Sequence, residues 1–343
     1  MLAVEYIELV SFIKQASLAL AGAAALWGAV IYFLSVRAKK GGHNETGSLI
    51  LEWISLRLFA LFSAGAAVAV IAFSELYSIS TAGAHEGIVI VPTKSEISSA
   101  VFLTLPLYAF FIAFVLVTVW MRVAKTALFR RFLPYIYVAG FVLSLVLISL
   151  PAWTGRLDPT QWFYIGHSVH SIFTVGTVLV LDFLILSSQS SNILKQHIFP
   201  LFPVLSGVIW VGLGFDFLSV WLVFEEALRF TPKFFFMQTV IGILIINGIL
   251  LSGPITRAMT KAIKKKGIEL SKRMTTFANI AGTISITSWL TITFIDYVES
   301  AELSYWGLMM GYLLFGMALY VGHELYEKFG EKPPEFLSVN NRI

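Results

Sequence analysis

Nine apolar runs divide this chain, at 8–36, 49–77, 98–124, 130–152, 162–187, 198–224, 232–254, 275–297 and 302–326. Each reaches or exceeds the roughly 20 helical residues needed to cross a hydrocarbon layer about 30 Å thick. Inside lipid, backbone N–H and C=O groups must bond to one another, which leaves only helices or closed barrels. The runs are too long and too continuously apolar to read as alternating strands, so helices are predicted. Only 13% of the 343 residues are charged, against about 25% in a soluble domain. The predicted fold class is therefore an all-α polytopic membrane protein with about nine transmembrane helices. No polar stretch is long enough to build a separate soluble domain.

Cysteine is absent, which excludes disulfides, thiolate metal sites, iron–sulfur ligation and covalent haem attachment. The net charge of +4 sits in the loops, so the partner it implies is the lipid bilayer and not a nucleic acid. The N-terminus has neither a basic n-region nor a small-residue cleavage site, and no cleaved signal peptide is expected.

Loop charge alternates. Arg37, Lys39 and Lys40 follow the first span, and Arg122, Lys125, Arg130 and Arg131 follow the third. Lys195 follows the fifth, and a basic run from Arg257 to Arg273 follows the seventh. The loop after the eighth carries Glu299 and Glu302. Excess Lys and Arg marks the cytoplasmic side, so the sequence predicts a multi-pass protein of the plasma (inner) membrane, N-terminus outside and C-terminus cytoplasmic. Trp153, Trp162, Tyr164, Tyr305 and Trp306 fall at the predicted outer boundary, where amphipathic rings collect.

Short phrases recur. LFALFSAG begins at Leu58 and LFPVLSG at Leu201, while Ala139-Gly140 is matched by Ala281-Gly282, offsets of 143 and 142 residues. MRVAKTA from Met121 resembles TRAMTKA from Thr256, and Gly28 has its counterpart in Gly176. Four spans return the chain to the side it entered from, so the expected relation is a parallel repeat. This divides the chain into a first four-helix repeat at 1–152, a second at 153–297, and a C-terminal helix and tail at 298–343. Small residues in the first two spans (Ala19, Gly22, Ala23, Gly28; Ala60, Ala64, Gly65, Ala69) are expected to let those helices approach closely.

Ionisable groups at membrane depth are costly and are site candidates by default. With a rise of about 1.5 Å per residue, His167 and His170 lie about 8 and 12 Å below Trp162, Asp216 about 12 Å below Phe224, and Gln238 about 9 Å inside Pro232. His167 and His170 are three residues apart and share a helical face. Imidazole and carboxylate suit a transition metal ion, with His167, His170 and Asp216 as its ligands. Alternatively one imidazole holds a haem, with Gln238 lining the cavity. The bland alternative is that these groups serve only as interhelical contacts. Arg57 is expected to snorkel inward beside Glu52. Asp182, His323 and Glu324 fall near the inner interface and read as solvated. Nucleotide-binding and hydrolase motifs are missing.

The fifth span, YIGHSVHSIFTVGTVLVLDFLIL, resembles the first helix of the four-helix unit of copper-resistance D (CopD-like) proteins and of HemJ-type protoporphyrinogen oxidases. Those helices carry a histidine followed nine or ten residues later by a glycine, here His167 and Gly176. The following spans look similar and carry the resemblance through spans five to eight, and more faintly through one to four. The first repeat has Ala19 or Leu20 in the histidine position. Gln238 stands where HemJ-type proteins have a lysine. The resemblance implies a bound transition metal ion, copper first, or b-type haem near the outer face. The role would be metal handling or membrane electron transfer. Two rivals stand beside it: a non-catalytic subunit that anchors protein partners, and a HemJ-like porphyrinogen oxidase.

Overall fold

The computed structural model describes residues 2–40, 45–86, 94–125, 127–150, 159–188, 198, 201–223, 230–258, 261, 272–295 and 304–329. Among these residues there is no strand, and nine helical rods are present. They comprise α1 (Leu2–Lys40), α2 (Glu45–Glu86), α3 (Lys94–Val123) and α4 (Ala127–Ser149). The fifth rod joins α5 (Pro159–Ser171) to α6 (Thr177–Ser188) through a π-helical turn, Ile172–Gly176. Then follow α7 (Phe202–Val223), α8 (Pro232–Leu250) with a second π turn at Leu251–Ile255, α9 (Lys272–Ile295) and α10 (Tyr305–Phe329).

Eight of the rods are long and apolar enough to cross a membrane. The ninth, α7, has 22 residues, with an apolar described stretch at Phe202–Phe215. The chain is an all-α polytopic membrane protein. Its exposed side chains include Ile71, Leu116, Trp120 and Val211, which in water would be a liability and here meet lipid.

The chain divides into two compact units, Met1–Gly176 and Thr177–Ile343. The sequence predicts a boundary at 152/153. It falls later because α5 and its π turn pack on α1 and α4. A Cβ on Gly22 would stand 2.8 Å from the Ile172 side chain, one on Gly176 would strike the Ala19 carbonyl, and Phe141 meets Phe173 edge-on at 6.2 Å.

In the first unit α1 lies along α2, α2 touches α3, α3 touches α4, and α4 returns to α1. Gly65 makes the α1–α2 approach possible, since a Cβ there would lie 3.0 Å from the Ser17 carbonyl and 3.1 Å from the Ala21 nitrogen. Gly22 and Gly28 instead face Ile172 and Tyr137, and Ala60 and Ala64 face outward. An aromatic cluster fills the centre. Phe59 meets Phe129 at 5.0 Å, Phe62 meets Phe111 at 6.3 Å, and Gly140 leaves room for the Phe62 ring. Pro134 of α4 lacks the N–H that would bond the Arg130 carbonyl one turn back. The Tyr32 hydroxyl supplies a donor to that carbonyl at 3.5 Å, the long limit of a hydrogen bond.

In the second unit α6 packs on α7, α7 on α8, α8 on α9 and α9 on α6, with α10 against α8 and α9. A Cβ on Gly248 of α8 would stand 3.0 Å from the Trp210 ring of α7, and the Asn247 amide donates to the Ala281 carbonyl at 2.8 Å. Pro254 removes one backbone donor from the end of α8, and the chain widens there into its π turn, with the Thr256 hydroxyl donating to the Leu251 carbonyl at 2.6 Å.

Candidate functional site

His167 and His170 lie in the first unit on α5, both half-buried, with near-parallel rings 6.1 Å apart. The shared face expected from their spacing is therefore present. The π turn begins two residues later, and the Thr174 hydroxyl inside it donates to the His170 carbonyl at 3.1 Å. Such turns insert one extra residue into a helix and occur often at functional sites. This one ends on Gly176, where α1 comes too close for any side chain. The histidine-to-glycine spacing seen in the sequence thus has a packing cause at its glycine end.

The other candidates belong to the second unit. Gln238 is on α8, where its amide nitrogen is buried and has no hydrogen-bond partner among the described residues. Asp216 is on α7 of the same unit, and its side chain lies outside the described residues. Among the described residues no group of three or more His, Asp or Glu could hold a metal ion. Two parallel imidazoles on one helix face cannot approach a single iron from opposite sides. The side chains of His43, His85, His197, Trp153, Trp162 and Tyr164 lie outside the described residues.

A second polar constellation was not assembled by reading the sequence. In the second unit Asp182 of α6 lies within electrostatic reach of His323 of α10, with Gly282 of α9 beside the carboxylate at 3.8 Å from a built Cβ. Glycine there leaves space for the carboxylate between the helices. Glu324, next to His323, is exposed. The sequence reads Asp182 and His323 as separately solvated, because α6 and α10 are far apart along the chain.

From that pair a line of hydroxyls runs along α10 where it packs on α9 and α8. Tyr305, Tyr312, Gly316 and His323 share one face of α10. Their separations of 7, 11 and 18 residues are near-integral numbers of helical turns. The Tyr312 hydroxyl is 2.9 Å from Ser288, and Tyr305 is 3.2 Å from Thr239. Ser288 spends its proton on the Ile284 carbonyl and Thr239 on the Phe235 carbonyl. Each hydroxyl has one proton, so both tyrosines are the donors. Gly316 brings α10 against Thr287, with Thr283 one turn farther toward the Asp182 layer. From Tyr305 to His323 the face covers about 27 Å, close to the hydrocarbon thickness. At the Tyr305 end an open cleft of about 510 Å³ is lined by Phe230, Pro232, Phe235, Thr239 and Tyr305.

The signal that could have found this seam is the 7- and 18-residue spacing of Tyr305, Tyr312 and His323. Comparison with protein-family models, with curated proteins and with solved structures gives no match for this chain.

Proposed function

We propose that the chain moves protons through its second unit, with Asp182 and His323 as the exchanging pair. The observation that carries this reading is a carboxylate and an imidazole held within reach of each other at one end of a hydroxyl-lined face as long as the bilayer core. A lone carboxylate at a helix centre costs about 2.5–3.5 kcal/mol to insert, so groups of this kind persist where they pair or where they work. Transfer from the His323 imidazolium to the Asp182 carboxylate leaves a neutral imidazole and a carboxylic acid. A second proton returns the imidazole to its cationic form. Tyr312 donates to Ser288 and Tyr305 to Thr239, so two hydroxyl pairs stand along the face between the exchanging pair and the cleft.

The test is flux into proteoliposomes loaded with a pH-sensitive dye under an imposed potential. Wild type is expected to acidify the lumen faster than empty vesicles. Asp182→Asn and His323→Gln should each abolish the excess, and Tyr312→Phe should slow it. Equal flux from wild type and both variants sinks the proposal.

A second reading keeps the CopD-like expectation: a metal ion, copper first, or b-type haem at His167 and His170, with metal handling or electron transfer as the role. The observation in its favour is the stacked imidazole pair directly before a π turn. Two imidazoles do not complete a metal ion's usual set of ligands, and one imidazole suffices for a five-coordinate haem. An absorption spectrum decides it. A Soret band lost in His167→Ala and weakened less in His170→Ala supports haem, and stoichiometric copper without that band supports metal handling. Neither signal, with only stability changed, leaves the imidazoles as packing. In either reading the plasma membrane placement, with the N-terminus outside, rests on loop charge.

A further inference from the structure

Two guanidinium groups of the first unit lie over aromatic rings and, among the described residues, have no carboxylate partner. Arg57 of α2 lies over the Trp53 ring, 4.9 Å from its centroid. Arg122, in the last turn of α3, lies over the Phe59 ring at 5.3 Å. Both rings belong to α2, so one helix carries the ledge on which both cations rest. A cation–π contact satisfies none of a guanidinium's five N–H donors, which stay available to an anion.

The nearby carboxylate is already engaged. Glu52, which the sequence assigns to Arg57, pairs instead with Arg130 at 3.6 Å. Among the described residues neither Arg57 nor Arg122 has an ion-pair partner. Both are half-buried, and they are close enough for their charges to repel. Two like charges gathered this way favour a bound anion.

The position says which kind. Glu75, bonded to the Tyr6 hydroxyl at 3.0 Å, lies on α2 eighteen residues beyond Arg57. That is about 27 Å, so the two polar positions bracket the hydrocarbon layer. Arg57 and Arg122 therefore stand at phosphate depth. Directly along the lipid side of α2 from Arg57, Ala60, Ala64 and Ala67 are exposed and form a shallow methyl-lined track.

We infer that Arg57 and Arg122 together bind the phosphate of an anionic phospholipid, with an acyl chain lying along Ala60, Ala64 and Ala67. Arginine suits the task because its planar fork meets phosphate oxygens in pairs, and basic sites between transmembrane helices bind anionic headgroups.

The experiment uses the purified full chain in neutral detergent, read by native mass spectrometry and by the thermal denaturation midpoint. The additions are phosphatidylglycerol, phosphatidylcholine or inorganic phosphate. Phosphatidylglycerol should stay bound and raise the midpoint, while the other two do neither. Arg57→Gln with Arg122→Gln should weaken phosphatidylglycerol binding roughly tenfold. Arg131→Gln, which removes one positive charge at an exposed position, should leave it intact. Should the double glutamine variant not fold, Arg57→Lys with Arg122→Lys keeps the charges and should lose the preference for phosphatidylglycerol in part. Wild-type binding in whichever double variant folds, or an equal loss in Arg131→Gln, overturns the site. Equal stabilisation by inorganic phosphate overturns the lipid as its ligand.

Discussion

Tyr137 donates its hydroxyl proton to the backbone carbonyl of Ser55, and its ring occupies the space that a side chain at residue 28 would need. The Ser55 hydroxyl also reaches the Tyr137 oxygen at 3.2 Å and the Gly28 carbonyl at 3.3 Å, so α1, α2 and α4 meet at one buried knot. Tyr137→Phe keeps the ring and removes the donor, and should cost about 0.5–1.5 kcal/mol. Gly28→Ala forces the ring out and should cost about 1–3 kcal/mol. Thermal denaturation in detergent ranks the two, and a Gly28→Ala protein more stable than Tyr137→Phe contradicts this packing.

Glycines on other helices should sort by what surrounds them. A side chain at Gly176 collides with the α1 backbone, whereas among the described residues nothing lies within 4 Å of a Cβ built on Gly207 or Gly242. Gly176→Ala should therefore lower the denaturation midpoint sharply. Gly207→Ala and Gly242→Ala should hold or raise it, since alanine is the better helix former by about 1 kcal/mol. A midpoint unchanged by Gly176→Ala would show that α1 and the π turn are not in contact.

Asn247 straps α8 to α9 through the Ala281 carbonyl, and it is buried. Interhelical hydrogen bonds of this kind in membranes average about 0.6 kcal/mol and reach about 1.7. Asn247→Ala should fall in that range by equilibrium unfolding in mixed micelles. Asn247→Asp should be worse, because it replaces a donor with a buried acceptor facing a carbonyl. Equal stability of the two variants would show that the amide does not bond Ala281.

Topology is open to a clean chemical test, because the chain has no cysteine to remove. Single cysteines at Lys265 and Glu302 should differ toward an impermeant thiol reagent applied to intact cells. Position 302 is expected to react and 265 to stay silent until the cells are broken. The reverse pattern would invert the orientation.

Membrane spans were legible in the amino-acid sequence because hydropathy is a local sum over neighbouring side chains, and lipid demands backbone bonding within each span. The stacked pair His167 and His170 was legible for the same local reason, since three residues along a helix set a shared face. Which side chains face one another between helices was not. In a soluble helix polar and apolar faces betray the core, but a transmembrane helix is apolar toward both lipid and protein, so its period carries little directional information. Hence Ala60 and Ala64 look like Gly65 in the sequence, yet they turn to lipid while Gly65 meets the α1 backbone. Hence too Arg57, apparently suited to Glu52, lies on Trp53 while Arg130 takes the carboxylate. Asp182 and His323 are 141 residues apart in the chain. Only the packing of both α6 and α10 on α9 within one unit sets their charges against each other, because long-range juxtaposition is decided by which helix surfaces close on which, and no local property of either segment records it.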